Sequence, residues 1–148
     1  MQFICEYKRN FQFEPYLDNL PFEYRSKVSK IRLSDHRLPI EKLRYENIDK
    51  SERICDVCNS NEVGDENHYL ISCSNDKINE SRKDFIQKCI EILPVFEQFS
   101  EVNIIKYCLT MADEKLHYVT ALFIKEILNN YNNEIEYMVN KHYRMVFM

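Results

Sequence analysis

A chain of 148 residues is sized for one domain with its own buried core, and its formal net charge of −4 at pH 7 excludes a protein that coats nucleic acid through bulk electrostatics. One glycine and four prolines leave little material for tight turns, so the composition favours helices joined by short polar connections over a β-rich fold. No apolar run approaches the ~20 residues that span a bilayer, and Met1 to Arg9 lacks the apolar region of a secretory leader, so the expected setting is intracellular and reducing, nuclear or cytoplasmic, with no membrane.

In chain order, Phe3 to Phe13 is aromatic-rich and partly alternating, and reads either as a short extended arm or as the approach to a first helix. Pro15 suits the first turn of a helix through Leu20, and Pro21 suits the opening of the next, since proline is tolerated where the backbone N–H has no intrahelical partner. Leu20, Tyr24, Val28 and Ile31 give the buried face of that second helix, and Arg25, Lys27, Lys30 and Arg32 take the remainder. Ser34 and Asp35 mark a break, and Pro39 argues against one continuous helix from His36 to Leu43. Between Arg25 and Arg44 seven cations face two carboxylates, a local net charge of +5; between Glu46 and Glu66 two cations face seven carboxylates, a local net charge of −5. Either the blocks neutralise each other in the folded chain, or the basic block meets phosphates while the acidic block rims the loop that follows.

That loop carries the most informative pattern. Cys55, Cys58, His68 and Cys73 form C-x2-C-x9-H-x4-C, three thiols and an imidazole at spacings that close around one Zn²⁺. Four protein ligands leave no position for a reactive water, so such a zinc holds structure and the chain is not expected to be an enzyme. The competing reading is two reduced cysteine pairs with an unrelated histidine. Gly64, the only glycine, lies within the loop.

Beyond it, Asp76 suits the N-cap of a helix from Lys77 to Leu93 with Ile78, Phe85, Ile86, Cys89 and Ile90 on its apolar stripe, ended by Pro94. Ser100 caps a helix that buries Ile104, Ile105, Cys108 and Leu109 and ends near Met111, and Asp113 starts a long helix from Leu116 through Tyr131. The run Asn129 to Asn133 predicts a break there, with the helix resuming from Glu134 to Phe147, where Tyr137, Tyr143 and Phe147 read as core or partner contacts. Cys5, Cys89 and Cys108 read as ordinary thiols, the last two as small hydrophobes in the core. His36 reads as a structural histidine bonded to Glu41 or a backbone carbonyl, or as a phosphate or base contact; His117 and His142 read as partly exposed on helices.

Phe13-Glu14-Pro15-Tyr16-Leu17, the stretch Lys30 to Tyr45, Glu52 to Cys58 and Asp65 to Cys73 together resemble the tail of non-LTR retrotransposon polyproteins, which follows the reverse transcriptase and carries a zinc-binding segment. The resemblance runs from Phe13 to about Phe85. It implies that Cys55, Cys58, His68 and Cys73 are the metal ligands and that the chain contacts RNA or DNA. One departure is Leu43, where such tails often carry glycine before the Arg-Tyr pair. A polymerase is not implied, because the paired carboxylates of a reverse transcriptase are missing: the nearest string, Met111-Ala112-Asp113-Glu114, falls in a helical setting.

The expectation is therefore a mainly α fold, one domain over 1–148, with a basic helical region at 14–45, a Cys/Cys/His/Cys zinc loop at 52–74 that has room for a short β-hairpin, and C-terminal helices over 76–148. The expected function is nucleic-acid binding, with Arg25, Lys27, Lys30, Arg32, Arg37 and Arg44 as phosphate contacts. The alternatives are a protein-interaction module built around a structural zinc site, with a protein partner and an unassigned oligomeric state, or the remnant of an element without function of its own.

Overall fold

Prolines set the first elements of the computed structural model, which describes residues 2–8 and 12–147. Expectations that fall on Phe11 and on the side chains of Cys5 and Phe147 lie outside the described residues. The aromatic N-terminal stretch is helical, α1 (Gln2–Tyr7), with Phe3 and Tyr7 buried and their rings 4.7 Å apart. Pro15 immediately precedes α2 (Tyr16–Asn19), and Pro21 precedes α3 (Phe22–Arg32) with φ −55°. Helix α3 closes in a Schellman motif, in which the Asp35 N–H donates to the Lys30 carbonyl (2.8 Å) and Ser34 takes the left-handed conformation at φ 55°. Pro39 then opens the short α4 (Pro39–Lys42), where its missing N–H costs nothing.

Among the described residues there is no strand. The room left for a hairpin holds one antiparallel bridge, Ile54 to Val63. Three longer helices follow: α5 (Asp76–Ile92), α6 (Glu101–Leu109) and α7 (His117–Phe147). The caps follow short polar side chains as expected, with one shift. Asn75, not Asp76, caps α5 by accepting from the Lys77 and Ile78 amides, and Ser100 caps α6 through the Asn103 amide.

Helix α7 is continuous through Asn129 to Asn133, which corrects the expected break. Packing overrides propensity there: Tyr131 is buried, its hydroxyl bonds Asp56 (3.0 Å), and the Asn130 amide donates to Ser81 (2.8 Å). Helix α7 packs on α5, where Phe85 and Phe123 stack at 4.3 Å, and on α3, where Tyr24 meets Tyr118. Cys89 and Cys108 are buried thiols between α5 and α6 with sulfurs 3.8 Å apart. His117 is buried, contrary to its expected exposure, with Nε2 2.7 Å from the Met111 carbonyl, whereas His142 is exposed. The last turns of α7 stand clear of the core, leaving Tyr137 and Tyr143 exposed.

Candidate metal centre and basic cleft

The ligand loop begins as a knuckle. Around the Ile54–Val63 bridge, the Cys55 N–H donates to the Glu62 carbonyl and the Gly64 N–H to the Arg53 carbonyl, each at 2.8 Å. Gly64 lets this knuckle lie against α4: a Cβ there would fall 2.9 Å from Pro39 Cγ and 3.1 Å from Cys55 Cα. Close approach, rather than positive φ, is what requires glycine. Asp65 then accepts the His68 N–H (2.8 Å), and His68–Ser72 winds as a π-turn, closed by the Cys73 N–H donating to the His68 carbonyl (2.7 Å).

The π-turn explains the x4 spacing. Five residues of ordinary α-helix would place His68 and Cys73 about 140° apart around the axis, whereas the wider turn brings both toward one side. The Sγ atoms of Cys55, Cys58 and Cys73 and a ring nitrogen of His68 all lie within 4.8 Å of one another. Cys55 Sγ to Cys73 Sγ is 4.0 Å, and Cys58 Sγ to His68 Nε2 is 3.4 Å. A tetrahedral Zn²⁺ with ordinary bond lengths needs S···S edges of about 3.8 Å and S···N edges of about 3.6 Å. The four donors therefore lie close enough together to hold one metal ion, with two of their edges near the tetrahedral values.

Hydrogen bonds orient the imidazole, and the four groups share their protons unequally. On the far side of the ring, His68 Nδ1 lies 2.9 Å from Glu62 Oε2 and 3.3 Å from Ser72 Oγ, which holds the ring with Nε2 facing the cluster. Hydrogen bonding from the Cys73 thiol outweighs burial and holds Cys55 at about 3, and the same bond pushes Cys73 up. Burial alone would lower His68, but hydrogen bonds and charge from Cys55 and then Cys58 raise it to about 9. For Cys58 burial acts upward, and bonds from Ser60 bring the thiol down.

Two supports went unread in the sequence. Glu62, which orients His68, is one acid among seven in its block and nothing in the residue order singles it out. Arg82 donates from Nε to the Leu70 carbonyl and from its two Nη atoms to the Tyr69 and Cys73 carbonyls, all at 3.1 Å, and thereby ties the π-turn to α5. Arg82 did leave a signal, since a charge sits in register with the apolar stripe Ile78, Phe85, Ile86 and Cys89.

The basic residues separate into three groups. Lys27, Lys30 and Arg37 line one cavity of about 640 Å³ between α3 and α7, joined there by Lys42, which had not been read as a contact. Arg25 is half-buried and donates to the Leu17 carbonyl (2.7 Å), and Arg44 is exposed and paired to Glu41 (2.9 Å) at a different depression. Arg32 is corrected outright. It is 2 % exposed, bonded to the Leu109 carbonyl (2.8 Å) and ion-paired to Glu14, so its guanidinium organises the core and is closed to a phosphate. His36 is structural: Nε2 pairs with Glu66 (2.7 Å) in place of Glu41, and Nδ1 accepts the Leu38 N–H.

One bridge joins the cleft to the loop. Asp56, between the first two cysteines, accepts from Lys42 (3.2 Å), Tyr131 (3.0 Å) and Tyr69 (3.3 Å). No model of a known family, no curated protein and no solved structure matches this chain.

Proposed function

We propose that this chain is a nucleic-acid-binding module, of the kind its sequence resembles in retrotransposon tails, in which Zn²⁺ on Cys55, Cys58, His68 and Cys73 has a structural role and no polymerisation is catalysed. Three thiolates and an imidazole suit zinc above the hard cations, and a complete protein ligand set suits a structural ion. The carrying observation is the convergence of Lys27, Lys30, Arg37 and Lys42 on one cleft that is tied to the metal loop through Asp56. A local cationic cleft binds phosphates even on an acidic chain, because charges farther than a Debye length of about 8 Å are screened at physiological salt.

The test has two stages. Purified protein should carry one zinc per chain, lost with unfolding of the loop in Cys73→Ser. Lys30→Glu and Arg37→Glu should each weaken binding to RNA or DNA and lower the salt slope by roughly one contact. Unchanged binding in both would reject the cleft.

The second reading, a protein-interaction module, draws on the exposed apolar side chains at the end of α7, among them Met138, Val139, Met145 and Val146. Self-association that rises with concentration, or stable capture of a purified partner without nucleic acid, would favour it.

A further inference from the structure

The α3–α7 seam carries aromatic rings as well as cations. At its start Tyr24 and Tyr118 pack at 5.1 Å between centroids, and the Lys125 ammonium lies 5.1 Å from the Tyr24 ring centre. Tyr24 is half-buried and backs Tyr118, which is 50 % exposed. On α7, Tyr118, Lys125 and Asn132 recur at seven-residue spacing, which keeps them on one side of the helix over about 21 Å. Asn132 already belongs to the cavity that Lys27, Lys30, Arg37 and Lys42 line. The seam thus holds an exposed aromatic ring at one end and a group of cations at the other, with Lys125 between them ion-paired to Glu23.

Building on the nucleic-acid reading above, we infer that this seam binds a single strand, with phosphates on Lys27, Lys30, Arg37 and Lys42 and an unpaired base stacked on Tyr118. A duplex can offer its phosphates to the cations, but its base faces are occupied by their neighbours and cannot reach the tyrosine. A single strand offers both, and stacking on an aromatic ring is tolerant of sequence. Asp35 and Glu136 at the cavity oppose the phosphates yet can accept from exocyclic amino groups of unpaired bases. The seam has room for a few nucleotides, since stacked bases rise about 3.4 Å each.

The experiment is fluorescence anisotropy on the zinc-loaded full chain with labelled 12-mer RNA, 12-mer DNA and the DNA duplex of the same sequence at one salt concentration. Tyr118→Ala should weaken single-strand binding by about 5- to 150-fold, the range of one lost base stack, while leaving duplex binding and the salt slope unchanged. Tyr118→Phe, which keeps the ring, should bind as the parent does and so separates loss of stacking from loss of fold. Lys30→Glu should weaken every polynucleotide. Equal affinity for duplex and single strands, with Tyr118→Ala unchanged, would overturn the single-strand inference and leave nucleic-acid binding standing. No binding to any of the three would overturn both, and a preference between the RNA and DNA arms names the strand.

Discussion

Replacing Arg82 with methionine removes five N–H donors from a site that is 6 % exposed while keeping most of the side-chain volume. The Tyr69, Leu70 and Cys73 carbonyls lose a charged partner, and each such bond contributes about 1.5–3 kcal/mol. Relief of the buried cation's desolvation offsets part of that sum, leaving a net loss of about 3–5 kcal/mol, since three buried carbonyls are left without a partner at about 1–3 kcal/mol each. Against a domain stability of about 5–15 kcal/mol this is a large fraction. Urea unfolding at fixed protein and zinc concentration should show a lower midpoint with an unchanged slope. Zinc affinity, read by competition with a chromophoric chelator, should fall in parallel, because the anchored turn supplies both His68 and Cys73. Arg82→Lys should lie between, since an ammonium cannot reach three carbonyls as a fork does. A midpoint in Arg82→Met corresponding to a loss below about 1 kcal/mol, with zinc affinity intact, would refute the anchoring role.

Glu62→Ala should lower zinc affinity by about tenfold, the weak end of the range for an orienting carboxylate, because Glu62 is itself 57 % exposed; an unchanged competition titration would show that Ser72 orients His68 alone. Gly64→Ala should destabilise the chain by about 1–3 kcal/mol through overpacking against the Pro39 ring and the Cys55 backbone, read as a lower unfolding midpoint, and a neutral result would mean that α4 slides away freely.

The cluster of Cys55, Cys58, His68 and Cys73 was legible because cysteine and histidine are rare and their spacing limits what they can close around. Helix starts at Pro21 and Ser100 were legible for a similar reason, since each residue acts through its own local chemistry whatever lies elsewhere in the chain, whereas Pro39 was read only as a break and in fact opens α4. What escaped depends on partners distant in sequence. Asn129 to Asn133 is a poor helical segment on propensity, and burial of Tyr131 with the bonds to Asp56 and Ser81 keeps it helical. Arg32 reads as a surface cation until Glu14 and the Leu109 carbonyl are placed around it. The π-turn has no propensity signature of its own, although H-x4-C is the spacing that such a turn satisfies.

The loop and the cleft make opposite demands on charge, which allows geometry to be separated from electrostatics. Zn²⁺ on three thiolates and a neutral imidazole carries a net charge of about −1, whereas the same side chains without the ion, sharing their protons, are close to neutral. On charge alone, removing the ion should leave phosphate binding unchanged or slightly stronger. The Asp56 bridge predicts the reverse: once Cys55 and Cys58 are no longer fixed, Asp56 loses its place, and with it go the bonds that hold Lys42 and Tyr131 at the wall of the cleft. Chelation should therefore weaken polynucleotide binding and reduce the salt slope by about one contact, the share of Lys42. Asp56→Ala in the zinc-loaded chain removes the acceptor of Lys42 and Tyr131 without removing a ligand, so it should reproduce the loss of about one contact from the salt slope. Binding that strengthens on chelation would mean that the loop acts on the cleft only as a nearby negative charge.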